Sequence, residues 1–130
     1  MNPTDIKTLI REHFAAAGHD EIAAGEIFAE DVVIEWPQSG ERFRGKSDVI
    51  AMHQAAPVNV AFEIRRTIGC VDLWVTEATI RYDGVRPTQA VIVMEFRDGK
   101  VVRETDYFGD PFDPPAYRSR WAEQMSDEER

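Results

Sequence analysis

Four long strand-like segments follow one another in the second half of the chain, and they constrain the fold more than any other feature. They run over about 59–68, 72–82, 88–97 and 100–108, with Gly69, Asp83-Gly84 followed by Pro87, and Asp98-Gly99 as the breaks between them. Segments joined by such short breaks pair most simply with their sequence neighbours, which gives an antiparallel sheet. In the second segment Trp74, Thr76, Ala78, Ile80 and Tyr82 share the more apolar face. In the third, Ala90, Ile92, Met94 and Phe96 share one face and Val91, Val93 and Glu95 the other. That strand is apolar on both sides near its middle. One side is expected to meet helices, and the other to meet a second copy of the chain, a homodimer through the outer face of the sheet.

The fourth segment carries the chemistry. Val102, Glu104, Asp106 and Phe108 alternate onto one face. Were that face inward, burial would raise the pKa of at least one carboxyl and make it a candidate acid or base. Were it outward, both groups would be solvated, and spacing alone favours this second arrangement. If both are buried they cannot both ionise easily, and one would hold a proton near neutral pH.

The first half reads as helices. Asn2-Pro3-Thr4-Asp5 is a helix start, with a capping Asn, Pro at the first position and an acid at the positive end of the dipole. Ile6, Leu9, Ile10, Phe14 and Ala17 follow at helical spacing, and Gly18 ends the run. Asp20 caps a second, shorter helix carrying Ile22, Ala23, Ile27 and Phe28. Residues 32–36 form a first strand stopped by Pro37, and 38–45 a loop. A third helix opens near Ser47 and closes at Pro57, with Val49, Met52, His53 and Ala56 on one face. His53 there is either a satisfied core histidine or a partner to Asp106. After the prolines, Tyr117, Trp121 and Met125 mark a short final helix packed on the body.

The 130 residues suffice for a single domain, over about 1–125, with a polar tail at 126–130. Fifteen basic against 24 acidic residues give a net charge of −9, which argues against nucleic acid or an anionic membrane surface as partner. No apolar run approaches membrane-spanning length, the N-terminus lacks the order of a signal peptide, and a cytoplasmic location is expected. Cys70 is the single cysteine, and no close pair of ligand residues suggests a metal, so neither metal nor cofactor is expected.

Segregated helices over a curved antiparallel sheet make an α+β domain with a concave, pocket-forming side. Three segments sharpen this into a resemblance. Residues 15–20 followed by Ile27-Phe28-Ala29-Glu30-Asp31, then Phe43-Arg44-Gly45-Lys46-Ser47-Asp48-Val49-Ile50, then the hairpin from Phe96 to Phe108, resemble in order the NTF2-like superfamily and its SnoaL-like group. That group includes polyketide cyclases, steroid isomerases and epoxide hydrolases. The resemblance implies a cone-shaped sheet, a pocket between sheet and helices, dimerisation through the outer face, and an inward Asp106. It implies a pocket lined by Trp36, His53, Trp74, Tyr82, Ile92, Met94, Glu104, Asp106 and Phe108. The function implied is cofactor-free isomerisation, cyclisation or hydrolysis of an apolar, ring-containing molecule, with Asp106 as acid/base and His53 or Glu104 assisting. A non-catalytic binder or a protein-interaction module of the same shape are the alternatives.

The departures are specific. Where the steroid isomerases carry a catalytic Asp in a Glu-Asp-Pro segment, this chain reads Glu35-Trp36-Pro37. Their second Asp falls at Ile92 and their Tyr near Arg11, so the resemblance does not extend to that mechanism. The Arg-x-Asp of the epoxide hydrolases has a counterpart only in Arg81-Tyr82-Asp83, where Asp83-Gly84 is better read as a turn.

Overall fold

The computed structural model describes residues 2–58, 60–82 and 87–130. The Asp83-Gly84 turn, and Asn59 at the expected start of a strand, lie outside them. Three helical segments lead: α1 (Pro3–Ala16), α2 (Glu21–Ala24) and, after β1 and β2, α3 (Lys46–Gln54). The strands are β1 (Phe28–Trp36), β2 (Glu41–Arg44), β3 (Val60–Cys70), β4 (Leu73–Tyr82), β5 (Thr88–Arg97) and β6 (Lys100–Gly109). A 3₁₀ turn, Ala116–Trp121, stands near the C-terminus. The six strands form one sheet in the order β2-β1-β6-β5-β4-β3. This is the expected α+β architecture, a curved sheet covered on one side by N-terminal helices.

The helix start is as the sequence predicts. Asn2 Oδ1 accepts the Asp5 N–H at 3.0 Å, and Pro3 occupies the first turn. Ile6, Ile10 and Phe14 bury one stripe of α1 against the sheet, where the Phe14 and Phe62 rings stand 5.3 Å apart. Gly18 is required twice over. Its φ of +87° is left-handed, and a β-carbon there would lie 2.2 Å from the Val60 carbonyl oxygen.

Four details differ from the sequence reading. The 38–45 loop contains β2, which pairs with β1 across the turn at Gly40. Ile27 and Phe28 belong to a 3₁₀ turn and to β1 rather than to the second helix. β1 lies parallel to β6, so the sheet is mixed rather than wholly antiparallel. In β6 the ladder to β5 steps from Arg103–Glu95 to Val101–Phe96 and leaves Val102 as a bulge. Val101, not Val102, therefore joins the buried face, and it is fully buried.

The core fills the concave side with Val32 and Ile34 of β1, Val49 of α3, Trp74, Ala78 and Ile80 of β4, and Ala90, Ile92, Met94 and Phe96 of β5. On the convex side Ile68, Leu73, Val75, Val91 and Tyr107 remain exposed. Tyr117, Trp121 and Met125, expected to pack on the body, are 74%, 74% and 52% exposed. The 3₁₀ geometry explains this, because its threefold period breaks the fourfold spacing of that stripe. The last residue returns to the sheet, where the Arg130 carbonyl receives the Thr79 hydroxyl at 3.5 Å. Among the described residues, no helix is long and apolar enough to cross a membrane.

Candidate functional site

The inward face of β6 places Glu104 and Asp106 side by side, each 5% exposed. Strand register sets their neighbours. Glu104 lies in a cross-strand row with Met94, Trp74 and Ile34, and Asp106 in the next row with Ile92 and Thr76. The row of Glu104 is otherwise apolar, and burial there drives its pKa well above the carboxylate range. The neighbouring Asp106 charge and a hydrogen bond to Asp106 act in the same direction. Asp106 is pushed up to about 6 by burial, against the hydrogen bonds from Glu104 and from Trp36 that pull it down.

Asp106 is held from the side by β1 and the turn that follows. The Trp36 indole N–H donates to Asp106 Oδ2 at 2.9 Å. Gln38 continues the pairing beyond the end of β1, its amide donating to the Asp106 carbonyl at 3.2 Å and accepting the Phe108 N–H at 3.2 Å. The Trp36 ring is wedged edge-on between Phe43 and Phe108, with centroids 4.8 and 5.3 Å away. With both carboxyls ionised, Glu104 Oε1 and Asp106 Oδ1 would be buried with no donor in reach among the described residues. One proton shared between the two groups satisfies both. Near neutral pH the pair thus carries one proton and one negative charge.

The pair forms part of the wall of a cavity of about 530 Å³ between sheet and helices. Phe14, Phe28, Phe62, Ile80, Tyr82, Ile92 and Phe108 supply most of its apolar wall. Burial, and secondarily the charge of Asp110, raise the Tyr82 phenol pKa. His53 on α3 also lines the cavity, and burial lowers its pKa. The cavity therefore brings together Asp106, Glu104, His53, Trp36, Tyr82, Ile92 and Phe108. Trp74 and Met94, expected in the pocket, do not line it. They share Glu104's row but are packed solid, 1% exposed each, and the Trp74 N–H is spent on the Val71 carbonyl at 3.2 Å. Glu104 thus marks the boundary between cavity and packed core.

His13 escaped the sequence reading. It lies on the cavity wall, 9% exposed, with Nδ1 2.7 Å from the Ala24 carbonyl oxygen. A carbonyl only accepts, so Nδ1 carries the proton and Nε2 the lone pair. Burial pushes its pKa down to about 4 despite that bond. The signal was present: His13 stands three residues after Ile10 and seven after Ile6, within the apolar stripe of α1.

Glu35, the first residue of the Glu35-Trp36-Pro37 segment, faces the other way. It pairs with Arg42 at 2.7 Å and with Arg103, and the Arg42 hydrogen bond is the main cause of its lowered pKa. The cavity side of that segment presents the indole alone. A larger groove of about 900 Å³ lies between the outer sheet and residues 109–130, lined by Pro111, Pro114, Pro115 and Val91 among others, away from the buried carboxyls. Among the described residues, no three His, Cys, Asp or Glu side chains are grouped to hold a metal ion.

Comparison with known proteins agrees with this geometry. The sequence model of the SnoaL-like domain matches residues 10–104. An NTF-2 like protein of unknown function from Burkholderia xenovorans LB400 is 42% identical, over 97% of this chain and 99% of that one, with a TM-score of 0.83. A candidate ketosteroid isomerase from Kribbella flavida DSM 17836 is 25% identical over 97% and 93%, with a TM-score of 0.84. An LEH-like epoxide hydrolase of M. tuberculosis shares the fold, with a TM-score of 0.70 at 20% identity over 81% and 83%. No functionally curated protein matches the sequence significantly. With nearly three quarters of its length matched, and with the helix-covered curved sheet in place, the chain belongs to the SnoaL-like domain family of the NTF2-like fold.

Proposed function

We propose that the cavity binds a small, apolar, ring-containing molecule and moves a proton on it, or adds water to it, without a cofactor. Asp106 is the acid/base, with Glu104 or His53 assisting. The carrying observation is the pair of adjacent buried carboxyls in the wall of a cavity lined by aromatic rings. The Trp36 N–H occupies Oδ2, and Oδ1, buried without a donor among the described residues, keeps its lone pairs free for a proton. An ionised Asp106 takes a proton from one atom of the bound molecule, which then carries the negative charge, and returns it to another atom, so that Asp106 ends ionised again; the hydrogen bond from Glu104 stabilises that ionised form. His53, neutral and on the same wall, is the assisting acceptor.

Asp106→Asn tests this directly. It should abolish turnover of any substrate found by screening ring compounds, while the protein stays folded. Ligand-induced stabilisation that persists in Asp106→Asn, with no product from either form, would instead identify a non-catalytic binder. Self-association through Ile68, Leu73, Val75, Val91 and Tyr107 belongs to the same proposal, because these exposed apolar side chains lie on the outer face.

A further inference from the structure

The charges on the cavity wall are one-sided. Among the described lining residues, the acidic groups are Asp20, Glu21, Glu104 and Asp106. Asp20 and Glu21 are committed as backbone acceptors, to Ala23 N–H at 3.1 Å and Gly18 N–H at 2.6 Å. The lining residues that could carry positive charge are His13, His19 and His53. Burial keeps His13 and His53 in the neutral form. The Tyr82 phenol is neutral as well. No Lys or Arg stands among the described lining residues, and none of these histidines hydrogen-bonds to the Glu104–Asp106 pair, which lies beside the rings of Trp36 and Phe108 with two buried oxygens lacking donors among the described residues. A carboxylate beside aromatic faces attracts an ammonium group strongly and rejects an anion.

We propose that the cavity selects a cationic nitrogen ligand, a ring-bearing ammonium, whose charge sits against Asp106 and Glu104 beside Trp36 and Phe108. This rests on the cavity being a small-molecule site, and it narrows the substrate class. A cation at the pair favours the doubly ionised state, so binding expels the shared proton to solvent and affinity rises with pH.

The test uses two probes of the same shape, benzyltrimethylammonium and its uncharged carbon isostere neopentylbenzene, titrated by protein-observed NMR against the intact chain. The cation should bind roughly thirtyfold tighter near neutral pH, as a desolvated contact of this kind allows. Its affinity should rise with pH. Asp106→Asn should erase most of that preference, because the remaining Glu104 stays protonated. Glu104→Gln should keep the preference near neutral pH, because Asp106 can still ionise, with a smaller rise with pH that follows Asp106 alone. Both variants replace a buried acid by its amide, and their NMR spectra report directly whether they are folded. Equal or tighter binding of the neutral isostere overturns the inference and leaves the small-molecule site standing. Binding of neither probe at millimolar concentration overturns both.

Discussion

The buried carboxyl pair should cost the protein stability at neutral pH, and replacing Asp106 by Asn should recover part of it. Asp106 titrates near 3.8 when exposed and at about 6 in the folded chain. A raised pKa means that the native state binds more protons than the unfolded state across this interval. Its contribution is then fully present below about pH 4 and is lost as pH rises through about 6. At about 1.36 kcal/mol per pH unit, the interval comes to about 3 kcal/mol. Asn keeps an oxygen to accept the Trp36 N–H and gains an amide that can donate to Glu104. Exchanging a charge-assisted bond for a neutral one returns about 1 kcal/mol of the gain. Urea denaturation of both proteins from about pH 4 to about pH 7.5 should show the variant gaining on the wild type by about 2–3 kcal/mol, mostly below pH 6.5. A pH-independent difference would refute the reasoning. So would a wild type that gains on the variant as pH rises, the behaviour of a carboxylate stabilised by a cation.

The other predictions concern the rest of the cavity and the outer face. His13 has the opposite sign: its folded pKa of about 4 lies below the ordinary 6.5, so its contribution is present above pH 6.5 and is lost as pH falls toward 4. The raised carboxyls oppose that slope in the wild type, and an Asp106→Asn, Glu104→Gln background should expose a loss of about 3 kcal/mol on acidification, measurable by denaturation. Trp36→Phe removes the N–H that holds Asp106 down, so the Asp106 pKa should rise further, read by carboxyl-carbon NMR titration. Val91→Glu places a charge amid the exposed apolar residues of the sheet, and sedimentation should show a shift from dimer to monomer with the fold intact.

Local features were legible in the sequence where one segment alone decides them. The Asn2-Pro3 cap, the ends of β5 and the inward set Ala90, Ile92, Met94 and Phe96 follow from capping, turn residues and alternation. What depends on distant partners was not. Nothing within β1 or β6 encodes their parallel pairing, and β2 is four residues long, too short for its alternation to stand out from a loop. Spacing alone could not orient Glu104 and Asp106, since a carboxylate pair on a strand is ordinarily solvated; family resemblance supplied that orientation. Trp74 and Met94 have the right face but sit one cross-strand row away from Asp106, and strand periodicity assigns a face without saying how far along it a cavity extends.

The bulge at Val102 decides which side of the sheet holds the acid. A strand has only two phases, odd and even, and a pleated chain must keep the one it starts with unless a residue is inserted. β6 leaves the Asp98-Gly99 turn with Val101 inward, an odd position, and reaches the cavity with Glu104 and Asp106 inward, both even. Val102 is the single residue that changes the parity. Were Val102 paired regularly instead of bulged, the same sequence would turn Arg103, Thr105 and Tyr107 into the cavity and leave both carboxyls in water. The chemistry available to this pocket is thus set by a counting error in one strand, placed two residues before the first acid it exposes to the interior.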